Sequence, residues 1–153
     1  MRALRVAALV ATLLTVAGCG GNDDAAQPVR GPLGAKLAQL CDDNRAAVEL
    51  LGEPRDKGAA VFRPWARLGR SFVSDVRGLE GATPRQRKLV NRLADSFDAF
   101  YGNLKLSYDL FRAGRSDAIK MTLERAYAHL ATAESLAVRL GAPECAIRPF
   151  EDV

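Results

Sequence analysis

Residues 83–111 read TPRQRKLVNRLADSFDAFYGNLKLSYDLF. The first four are a helix start. Thr83 is placed to accept the amide of Gln86, whose side chain can reach back to the Thr83 amide, the reciprocal arrangement of a capping box. Pro84 falls at the first helical position, where its missing N–H costs nothing. Behind the cap, Leu89, Leu93, Phe97, Phe100, Leu104, Tyr108 and Phe111 recur at steps of three and four. That spacing puts them on one face of a helix and predicts a long amphipathic element. Gly114 supplies a left-handed stop.

The same period continues on both sides. Leu33, Leu37, Leu40, Cys41, Ala47, Val48 and Leu51 predict a first helix, ended by Gly52-Glu53-Pro54 because proline breaks the hydrogen-bond ladder. Val61, Trp65, Leu68, Phe72, Val76 and Leu79 predict a second, starting between Ala59 and Pro64. After the capped third helix comes a fourth, with Ser116 or Asp117 as its cap. Its stripe is Ile119, Leu123, Ala126, Leu130, Ala133, Ala137 and Leu140, and Gly141 and Pro143 stop it. Four amphipathic helices with mostly short connections predict an all-α, antiparallel, up-down-up-down four-helix bundle over residues 33–153.

The cysteines test that topology. Cys41 lies two turns into the first helix and Cys145 just past the last. They meet only if the first helix begins where the last one ends, which an even number of alternating helices achieves. A Cys41–Cys145 disulfide is therefore expected, two free thiols being the alternative. No Cys-x-x-Cys occurs, so a thioredoxin-like role has no support.

Residues 1–18 form a targeting segment. Arg2 and Arg5 make a basic start, and Val6–Ala17 is apolar apart from Thr12 and Thr15. Twelve residues are too few to cross a bilayer, which takes about twenty, but suit the core of a signal peptide. The segment ends in Val16-Ala17-Gly18-Cys19, followed by the polar GGNDDAAQPVRG of residues 20–31. This border resembles the lipobox of bacterial lipoproteins. The resemblance implies that the Cys19 thiol receives a diacylglyceryl group and that a signal peptidase cuts between Gly18 and Cys19. Two or three acyl chains of the palmitate kind would then hold the domain at a membrane, each buried methylene contributing roughly 0.8 kcal/mol. Residues 19–32 would serve as a flexible lipidated tether.

Cleavage removes Arg2 and Arg5, so the formal net charge of +4 drops by two. The basic balance is thus no argument for nucleic acid. Arginine-for-lysine usage and abundant alanine point to a GC-rich, actinobacterium-like source. With the lipobox, the early Cys41 and the closing Leu140-Gly141-Ala142-Pro143-Glu144-Cys145, the chain is similar to small helical lipoproteins of actinobacteria. That likeness implies a location and a fold and carries no activity.

Few residues carry chemistry. Arg85, Arg87, Lys88 and Arg92 crowd the start of the third helix, where cations oppose the helix dipole. By the parity argument they share an end with the tether, so contact with an anionic membrane surface is their functional reading and a solvated face the plain one. Arg63, Arg67, Arg70 and Arg77 line one side of the second helix, for an acidic partner or for water. Tyr101 lies off the strict stripe, beside Phe97 and Phe100. Asp42-Asp43 reads as decoration of the first helix. The single histidine, His129, cannot make a di-iron site. With Met121 eight residues away, about 12 Å along the same helix, it cannot bracket a haem iron either. Hence no cofactor, metal or catalytic residue is expected. The expected function is a non-catalytic binding or scaffolding module outside the cytoplasmic membrane, facing an envelope protein or polymer. The alternative is a carrier or sensor of a small apolar ligand held between the helices.

Overall fold

The computed structural model describes residues 31–52 and 54–146. The expected targeting segment, the lipobox-like border and nearly all of the expected tether lie outside the described residues, as does the tail from residue 147. Every regular element described is helical: α1 (Pro32–Leu51), a single turn α2 (Pro54–Lys57), α3 (Phe62–Arg77), α4 (Pro84–Arg112) and α5 (Ser116–Arg139). Short 3₁₀ turns cover Gly58–Val61 and Pro143–Cys145.

The capping box forms as read. Thr83 Oγ1 accepts from the Gln86 amide at 3.2 Å, and Gln86 Oε1 accepts from the Thr83 amide at 3.0 Å. Gly114 and Gly141 take positive φ just beyond α4 and α5. Pro64 falls in the first turn of α3, where no intrahelical donor is needed, so it marks a start and not a kink. Two local expectations are corrected. The segment 54–57, expected as loop, is itself a helical turn and leads through the 3₁₀ turn at Gly58–Val61 into α3, whose start at Phe62 falls between Ala59 and Pro64 as expected. The α5 N-cap is Arg115, with no side-chain capping bond; Ser116 is already helical, so neither Ser116 nor Asp117 caps it.

Register follows from cross-helix pairs. Phe72 stacks edge-on against Phe97 at 4.9 Å, Arg63 lies over Tyr108, and Arg77 bonds to Asp95, so α3 and α4 run antiparallel. Gly34 lies against the Leu140 carbonyl, joining the beginning of α1 to the end of α5. The start of α1, the end of α3, the start of α4 and the end of α5 thus share one end, called here the entry end. The fold is the antiparallel four-helix bundle that the periodicity predicts.

At the entry end Cys41 and Cys145 are joined, with their Cα atoms 5.0 Å apart and both side chains fully buried. Gly34 makes room for this crossing: a Cβ there would sit 2.7 Å from the Leu140 oxygen. The core is filled by Leu37, Leu93, Phe97, Phe100 and Leu104. Burial of each such side chain contributes roughly 1.5–3 kcal/mol relative to exposure.

The bundle also contains a polar lock that the stripes do not announce. The Tyr101 ring lies across α3 at Gly69, where any Cβ would fall 2.1 Å from the ring. Its hydroxyl thereby reaches α1 and accepts a 2.8 Å hydrogen bond from Asn44 Nδ2. Three helices are pinned at one point. Tyr101 is buried although it lies off the strict stripe, whereas Phe111, expected on the core face, is 51 % exposed. The reason is register: α3 starts opposite Tyr108, so the last turn of α4 has no α3 beside it.

Candidate functional site

The basic start of α4 splits in two. Arg87 turns toward α3, where its guanidinium donates to the carbonyls of Arg77, at 3.0 Å, and Leu79. Those carbonyls belong to the end of α3, where acceptors lack helical partners and a cation is favoured. Arg87 is therefore a structural collar. Arg85, Lys88 and Arg92 remain exposed on the other side, at spacings that put them on one face. No ion pair joins any of these three to a carboxylate among the described residues.

The arginine row of α3 also divides. Arg77 pairs with Asp95 at 2.9 Å and Asp98 at 3.6 Å, and the bond to Asp95 chiefly raises its pKa above the ordinary value. Arg63, Arg67 and Arg70 instead line a groove between α3 and α4 of about 320 Å³. Lys105 of α4 stands on the other wall, and Ala66, Gly102 and Tyr101 make the floor. Asp98 closes the end nearer Arg70. Arg63 rests 5.8 Å from the centre of the Tyr108 ring, and Lys105 pairs with Asp109 at 2.6 Å. Neither Arg67 nor Arg70 has a carboxylate partner among the described residues. Like charges one turn apart on a helix destabilise it, typically by a few tenths of a kcal/mol per pair.

Sequence reading found the α3 arginines but not Lys105, Gly102 or Ala66. The usable signal was the i, i+3 pair Gly102 and Lys105 on the side of α4 that also carries Asp98. The floor is held by the packing of the Tyr101 ring on Gly69 and by the Asn44 bond, and burial pushes the Tyr101 hydroxyl up to about 12 against the smaller opposing pull of that bond. At any ordinary pH the hydroxyl stays neutral and holds its place.

A second, wider groove of about 910 Å³ lies at the entry end between α1 and α3, lined among others by Lys36, Leu40, Asp75 and Glu80. Its charges are mixed. His129 is half-buried on α5 and Met121 is exposed. Asp42 is exposed and lies 3.5 Å from Arg45. No cluster of three or more His, Cys, Asp or Glu suited to a metal occurs among the described residues. None of the described helices is long and apolar enough to cross a membrane. No family model, curated protein or solved structure matches the chain.

Proposed function

We propose that the chain is a lipoprotein anchored through Cys19 on the extracytoplasmic face of the bacterial cell membrane, where it acts as a non-catalytic binding or scaffolding module of the envelope. The observation that carries this reading is the buried Cys41–Cys145 bridge at the entry end. Such bridges persist in oxidising compartments, and this one clamps the domain where the tether of a lipidated Cys19 would join it. In that arrangement Arg85, Lys88 and Arg92 face the anionic surface, each contributing about 1 kcal/mol when close to it. Arg87, spent on the α3 carbonyls, drops out of that set.

What the bundle offers a partner is cationic helix surface. The packed interior around Phe97 and Phe100 weighs against the alternative of an apolar ligand carried between the helices. Fractionation and intact-mass analysis of the natural chain and a Cys19→Ser variant test the proposal. The natural chain is expected in the membrane fraction as an acylated species beginning at Cys19, and the variant in the soluble fraction. An unmodified residue 19, or a variant held as firmly as the natural chain, overturns it.

A further inference from the structure

We propose that the groove between α3 and α4 binds a linear anion carrying two or more phosphate groups. This gives a chemistry to the envelope partner left open above. It rests on that reading only for where such an anion is met; the selectivity belongs to the groove and is tested separately from anchoring.

The first argument is spacing. Arg63, Arg67 and Arg70 fall at i, i+4 and i+7 on one helix face, a row of about 10 Å at 1.5 Å rise per residue. One phosphate group spans only about half of that row, whereas a chain with successive charges one helical turn apart engages all three. Lys105 faces the row from α4, so an occupant is held from both walls.

The second argument is the kind of cation. Three of the four are arginines, whose planar forks bond oxyanions through paired N–H donors. A carboxylate's acceptor sites all lie near one plane, and one such fork takes the two that point outward. A phosphate presents oxygens in more directions and can bridge guanidiniums from successive turns while still reaching the lysine opposite. The third argument is what the groove withholds. No large side chain rises from Ala66 or Gly102 in its floor, so an anion can approach closely there between the cationic walls. Asp98, the one acid in the lining, is engaged by Arg77, which tempers its repulsion of an incoming anion. Arg67 and Arg70 have no internal acid to give up on binding.

Calorimetric titration of the full chain in detergent with tripolyphosphate, orthophosphate and a tricarboxylate tests the proposal. Tripolyphosphate should bind about tenfold or more tightly than either of the others, a difference of about 1.4 kcal/mol. The double variant Arg67→Gln/Arg70→Gln should lose about tenfold of that affinity with its melting temperature unchanged or slightly raised, since it relieves like charges one turn apart. Lys120→Gln/Arg139→Gln, which removes the same charge from exposed positions of α5 outside the groove, should leave it within about twofold. Equal losses from both pairs, equal affinity for the tricarboxylate, or no measurable binding of tripolyphosphate overturns the proposal. Each of these outcomes leaves the Cys19 anchoring result untouched.

Discussion

At the entry end a disulfide, a close backbone crossing at Gly34, a capping box at Thr83 and the Arg87 collar all meet within a few turns. At the opposite end α1 stops with Leu50 87 % exposed, and Lys57 Nζ covers the Leu51 carbonyl at 2.7 Å. There Phe111 and Met121 are half exposed, and α5 begins without a side-chain cap. The contrast teaches where the order of a small bundle is stored. Packing along the helices is shared by both ends, but covalent and capping devices are concentrated at one. Local opening is therefore expected to begin at the far end and to reach the entry end last.

Removing the bridge is the strongest way to break that contrast. Its two cysteines are 104 residues apart, and chain-entropy treatment of so long a loop gives about 4–5 kcal/mol. A Cys41→Ala/Cys145→Ala variant should lose roughly that much in denaturant unfolding. Hydrogen exchange should show amides near Leu37 and Leu136 falling to the protection of those near Leu51 and Ile119. If the two ends exchange alike before the bridge is removed, the asymmetry is not there.

The Asn44–Tyr101 lock lies between the ends and shows how far the clamp's influence extends. The hydroxyl is pushed up to about 12, so between pH 10 and 12 the unfolded chain releases this proton while the folded chain keeps it. The fold therefore binds more protons in that window, and its stability falls as pH rises through it, being complete below pH 10. The full difference corresponds to roughly 2–3 kcal/mol. Tyr127, raised by burial, adds in the same direction. Urea unfolding at pH 9, 10 and 11 should show the decline, and Tyr101→Phe should flatten it. At neutral pH that variant should cost about 1–3 kcal/mol, since Asn44 loses its partner inside the bundle.

Two glycines sharpen the comparison because they are needed for different reasons. A Cβ at Gly34 meets the backbone oxygens of Leu140 and Gly141 at 2.7 and 3.1 Å, so Gly34→Ala must push two helices apart, at about 2 kcal/mol. Gly114 has nothing within 4 Å but φ +69, so Gly114→Ala meets only the backbone penalty, about 1 kcal/mol. The first variant should also make the disulfide easier to reduce, and the second should not. Titration with a mild reductant reads that difference directly.

What was legible in the sequence follows the same division. The helices, the Thr83 cap, the stops at Gly114 and Gly141 and the pairing of Cys41 with Cys145 could be read because each rests on local spacing or on topological parity. The stripe misled at Phe111 because periodicity records a helix face and not how far the neighbouring helix extends along it. Asn44, Gly69 and Tyr101 escaped for a complementary reason. A polar residue three after Cys41 and a glycine four after Trp65 look like interruptions of their stripes. They become a lock only when three helices bring them together. The cationic groove was half legible, since helical spacing gives the α3 wall and says nothing of which residues of α4 stand opposite.

The smallest effects bear on the caps. Thr83→Ala removes a side-chain acceptor from the first turn of α4 and should cost about 1 kcal/mol. At the far end there is no such bond to lose. Arg115 occupies the N-cap of α5, a cation at the positive end of the helix dipole, and lies 3.8 Å from the exposed Asp117. Arg115→Asp exchanges that cation for an acceptor and should raise stability by a few tenths of a kcal/mol. The gain should be smaller than the Thr83 loss because the backbone at Arg115, with ψ 58, departs from the extended geometry in which a side chain reaches the next turn's amides. Thermal unfolding of both variants gives the two signs in one experiment. A loss at Arg115→Asp as large as that at Thr83→Ala would mean that the far end is already as well secured as the entry end, by contacts other than caps.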